Sequence, residues 1–83
     1  MLNYGGEPMA VFQVRCANTV VRIHDVDHPP PHCHVKIDGR DVRVLLATLA
    51  VWRSNYKLSP KLRKCLEKHQ AAMLAAWEDV TIQ

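Results

Sequence analysis

Four of the five histidines in the chain, His24, His28, His32 and His34, fall between positions 24 and 34, threaded through Asp25-Val26-Asp27-His28-Pro29-Pro30-Pro31-His32-Cys33-His34. Imidazole and carboxylate are the side chains that hold zinc or a similar divalent metal, and a His-x-His pair on a strand turns two rings to one face. A metal site would draw on His24, His28, His32, His34 and Asp27. A second chemistry uses the same rings. His32 and His34 could act as acid and base, with Arg43 as the cation that binds phosphate, an arrangement suited to metal-independent cleavage of RNA. Two plainer roles also fit: histidines that cap backbone groups around a rigid loop, and a surface that docks a partner. Residue types alone leave all four open.

Positioning these rings falls to the strands on either side. Three consecutive prolines donate no hydrogen bond and favour an extended polyproline II path, so the connection is expected to be stiff. Before it, Met9 to Cys16 and Thr19 to Asp25 alternate like strands, and a turn at Ala17-Asn18 sets Val14 against Val21 and Phe12 against Ile23. After it, Asp38-Gly39 suits a type I′ hairpin. Counting outward from that turn pairs Lys36 with Asp41, Val35 with Val42, His34 with Arg43 and Cys33 with Val44. Cys33, Val35, Ile37, Val42, Val44 and Leu46 then form a core face. His24, His32 and His34 share the opposite, open face.

A fifth short strand is expected around Leu49 to Arg53. One helix follows, with Ser59 as N-cap and Pro60 at its first position. Its apolar stripe is Leu62, Cys65, Leu66, His69, Met73, Ala76 and Trp77, in which His69 reads as a hydrogen-bonded core histidine. The expected fold is α+β: a four- or five-stranded, mainly antiparallel sheet with one C-terminal helix packed on one face. All of it fits one domain, 1–83, with residues 1–8 loose.

At 83 residues the chain has one thin core, which excludes a two-domain enzyme with its own cofactor-binding fold. Cys16, Cys33 and Cys65 are odd in number and widely spaced, and read as reduced thiols. The longest nearly apolar run, Val44 to Trp52, is about half a membrane span, and Met1 to Pro8 does not read as a signal. No membrane partner is expected, and the expected compartment is the cytoplasm. The net charge of +3 is uneven: four basic against five acidic side chains up to Asp41, seven against three beyond it. Lys57, Lys61, Arg63, Lys64 and Lys68 belong to that basic half. They suit either a solvated face or the binding of nucleic acid, such as RNA, or an acidic partner.

The segment Asp27-His28-Pro29-Pro30-Pro31-His32-Cys33-His34-Val35 resembles a small bacterial family known as domain of unknown function 4160, as does, more loosely, the helix with its late Trp77. The resemblance implies a cytoplasmic bacterial protein with Asp27, His28, His32 and His34 as its marked residues. It further implies a toxin-like component of a toxin-antitoxin pair, its partner a small cognate protein encoded nearby. A non-enzymatic interaction module and a homodimer formed through the uncovered sheet face also fit.

Overall fold

Two tight turns fix the sheet. In the computed structural model, which describes residues 10–25 and 27–81, Ala17 and Asn18 have φ of 48° and 67°, and Asp38 and Gly39 have 51° and 77°. Positive φ at both central residues defines the type I′ turn, whose twist matches that of the strands it joins. Each turn closes a hairpin: β1 (Ala10–Cys16) with β2 (Thr19–His24), and β3 (His32–Ile37) with β4 (Arg40–Leu45). The pairing is antiparallel throughout and the strand order is β1-β2-β3-β4.

The expected registers hold. Val14 lies across from Val21 and Phe12 from Ile23. Lys36 lies across from Asp41, Val35 from Val42 and His34 from Arg43. Between the hairpins, Val21 pairs with Val35 and Arg22 with His34. Four strands form the sheet, and in place of a fifth the stretch after β4 contributes a single bridge from Val51 to Val44. Three backbone bonds tether that stretch to β4, from Leu45 N–H to the Ala50 carbonyl, from Leu49 N–H to the Leu45 carbonyl and from Trp52 N–H to the Arg43 carbonyl. Met9 and the stretch 1–8 lie outside the described residues.

Helix α1 (Pro60–Thr81) starts where expected, because the Ser59 hydroxyl accepts from the Leu62 N–H at 3.2 Å, as an N-cap does. Its buried side chains Leu62, Leu66, Met73 and Trp77 meet Val21, Ile23, Cys33, Val35, Val42, Val44 and Leu46 of the sheet region. Burial of such a stripe against one sheet face is the main stabilising term in so small a domain. The other sheet face is left for the histidines. Ile37, expected in the core, is only half-buried.

The cysteine reading is corrected. Cys16, at the end of β1, and Cys65, on α1, form a disulfide with their Cα atoms 5.7 Å apart, and only Cys33 is free. The two are 49 residues apart in the chain, so spacing gave no sign of their meeting. Burial pushes the Cys33 thiol up to about 12. His69 also departs from expectation: it is half-buried, and among the described residues it has no hydrogen-bond partner.

Candidate functional site

The connection between β2 and β3 folds back over the open sheet face. Its proline run departs from the continuous polyproline II path expected, since the Pro29-Pro30 peptide is cis. Asp27, early in this connection, is brought over the rings at the adjoining strand ends. Its Oδ2 lies 2.9 Å from His34 Nε2, 3.6 Å from His32 Nε2 and 3.7 Å from His24 Nδ1. One carboxylate oxygen thus faces three imidazole nitrogens from two strands.

Each ring is oriented by a further contact. His34 is held from behind, its Nδ1 lying 3.0 Å and 3.2 Å from the two carboxylate oxygens of Asp41. A carboxylate accepts, so His34 donates from Nδ1 to Asp41 and, at 2.9 Å, from Nε2 to Asp27. His32 Nδ1–H donates to the Pro30 carbonyl at 2.8 Å, which turns its Nε2 to Asp27 as well. His24 stacks on His34 with ring centroids 3.9 Å apart. Burial, and then the neighbouring His34 ring, hold His24 below the ordinary imidazole range. A neutral ring with a free lone pair is the form that ligates a metal.

His32 corrects the expectation that all these rings lie open. It is 3% exposed, with its ring centroid 5.1 Å from Trp52 and 5.3 Å from Trp77 of α1. Strand alternation does send it away from Cys33. Side chains arriving from the loop after β4 and from the end of α1 then enclose it. His28 is exposed and stands apart from the cluster, on the wall of a cleft of about 320 Å³ shared with Asp27, His32, Arg43, Trp52 and Arg53. Arg43 and Arg53 both lie against the Trp52 ring, their Cζ atoms 5.2 Å and 4.8 Å from its centroid. Arg43 is therefore near His32, as the acid-base arrangement requires, but it is held against an indole.

The basic run lies elsewhere. Lys57, Lys61, Arg63, Lys64 and Lys68 are all exposed, and Lys61, Arg63 and Lys64 border a shallow depression at the start of α1 with Glu67. Arg63 is occupied structurally: it donates to the Leu49 carbonyl at 3.3 Å and pairs with Glu67 at 3.6 Å. The structure brings together His24, His32, His34 and Asp27, and leaves His28 and the lysines outside.

Three residues of this region had no assigned role in the sequence reading. Asp41 was legible in principle, because the hairpin register sets it diagonally across from His34 on the same face. Trp52 and Arg53 gave no local signal, since their place depends on how the loop after β4 returns.

These features define a small α+β domain whose open sheet face carries a histidine and aspartate cluster, roofed by a proline-rich connection. A family model, Domain of unknown function (DUF4160), matches residues 19–78, and the chain belongs to that family. The match spans β2, the whole cluster and most of α1. No curated protein and no solved structure matches the chain.

Proposed function

We propose that this domain binds a divalent transition metal, zinc or a similar ion, through His24 Nδ1, His34 Nε2 and Asp27 Oδ2. The observation that carries the reading is the mutual spacing of His24, Asp27 and His34, each of which offers a ligand atom within 4.8 Å of the other two. Ligands about 2.0 Å from a tetrahedral zinc ion stand about 3.3 Å apart. The separations of 2.9 Å and 3.7 Å from Asp27 Oδ2 bracket that value. An ion between the three atoms requires the His24 and His34 rings, now stacked 15° from parallel, to turn so that their lone pairs converge on it.

The outer contacts support the same reading. A histidine that ligates a metal with one nitrogen commonly donates its other N–H to a carboxylate or a backbone carbonyl. His34 does so to Asp41, and His32 does so to Pro30. His32 Nε2 then faces Asp27 from the buried side, at 3.6 Å. Three protein ligands leave zinc one tetrahedral position for water or for an atom of another molecule.

The acid-base reading of His32, His34 and Arg43 draws less support from this geometry. Both nitrogens of His34 face carboxylates, and His32 is enclosed between two indoles. The toxin-like role with a cognate protein, and the homodimer, rest on the resemblance and on the uncovered sheet face; no contact within the cluster speaks for either.

The test uses the full chain without a histidine tag, stripped with a chelator and titrated with zinc. One ion per chain is expected while the Cys16–Cys65 disulfide is intact, bound at least tenfold more weakly by His34→Ala or His24→Ala. A folded wild-type protein that takes up no zinc, nickel or cobalt would sink the proposal.

A further inference from the structure

A second group of ligand-type side chains lies where β1 meets α1, on elements that supply no metal-ligating side chain to the histidine cluster. Cys16, Cys65 and His69 place two sulfurs and a ring nitrogen within 4.8 Å of one another. Cys65 and His69 are one helical turn apart and so project from the same side of α1. Cys16 comes from the end of β1 and is buried at 1% exposure, whereas Cys65 and His69 are half-buried. Among the described residues the His69 ring has no hydrogen-bond, ion-pair or ring partner.

We propose that Cys16, Cys65 and His69 form a metal site for a thiophilic divalent ion such as zinc, which replaces the Cys16–Cys65 disulfide when that bond is reduced. Two thiolates and an imidazole are a common zinc donor set, and the fourth position goes to water. A domain this small buries a limited core, and a covalent or metal staple between its first strand and its helix offsets that shortage. Disulfide and metal ion would be alternative forms of the same staple, chosen by the surroundings.

The chemistry balances with a dithiol as reductant. It donates two electrons and two protons to the disulfide, leaving two protein thiols, and is itself oxidised to a cyclic disulfide. The divalent ion then binds both sulfurs as thiolates, releasing two protons, while His69 supplies a lone pair. No electron passes to or from the ion. Thiolates about 2.3 Å from a tetrahedral ion stand about 3.8 Å apart, so the sulfurs must part from bonding distance. Rotation of the half-buried Cys65 side chain gives them that freedom.

Cobalt(II) is the probe that separates this site from the histidine cluster, because only sulfur ligands give a thiolate-to-cobalt charge-transfer band in the near ultraviolet. The full chain is reduced with a dithiol, desalted without oxygen and titrated with cobalt. One equivalent should develop the band in reduced protein and none in oxidised protein. Cys65→Ser should abolish it, His69→Ala should weaken binding at least tenfold, and His34→Ala should leave it intact. Reduced wild-type protein that shows no band, whether it stays folded or unfolds beyond rescue by cobalt, would overturn the proposal. So would a band undiminished in Cys65→Ser. The wild-type comparison stands even if that variant fails to fold.

Discussion

Asp27 Oδ2 and His34 Nε2 stand 2.9 Å apart, while the other nitrogen of the same ring faces Asp41 at 3.0 Å. His34 is thus fixed from both ends, by a carboxylate of the proline-rich connection and by one of β4. That double hold sets the ring's direction before any ligand arrives.

Asp41→Asn tests the outer hold. The side chain is 56% exposed, so the fold should be unaffected. Loss of its charge should weaken zinc binding by roughly 10-fold. Isothermal titration of the stripped protein would measure it, and unchanged affinity would show that Asp41 plays no part in the site.

Cys33 should be inert. It is fully buried, and its thiol is pushed up to about 12. In oxidised protein, alkylation at pH 8 should wait for global unfolding, and mass spectrometry in increasing urea would follow it. The linkage has a definite sign: a thiol whose folded value is raised supports the fold fully below its ordinary value of 9.0, and that support is lost as pH climbs from there towards about 12. Cys33→Val should lose less stability than wild type across that window.

Reduction of the Cys16–Cys65 disulfide without metal should lower stability. With its ends 49 positions apart, the chain-entropy account gives a loss of about 4 kcal/mol. Urea midpoints with and without a reductant would read it. Equal midpoints would mean that the link contributes nothing.

Trp77→Ala should cost about 3 to 5 kcal/mol, because the indole is 4% exposed and closes the core at the end of α1. It should also uncover His32, whose ring lies 5.3 Å away. Thermal denaturation, with the His32 imidazole signals in proton NMR, would show both effects.

Much of this could be read from the chain because it is local. Two turns with left-handed pairs, Ala17-Asn18 and Asp38-Gly39, fixed the register, and strand alternation then put His24 and His34 on the face away from Cys33. What escaped depends on distant partners. The burial of His32 needs Trp52 and Trp77, which come from beyond β4 and from the helix, and no periodicity near His32 announces them. The disulfide likewise joins β1 to α1 across most of the chain. Asp41 is the intermediate case: the register placed it beside His34, yet its pairing with Lys36 accounted for the charge and masked its second neighbour.

Because neighbouring strands in the sheet are also consecutive in the chain, His24, Asp27, His34 and Asp41 all come from one continuous stretch of eighteen residues, 24–41. The cluster is therefore a cassette. Grafted between two strands of another antiparallel sheet, that stretch would carry its ligands and the outer carboxylate with it, while the helix and the basic run could diverge freely.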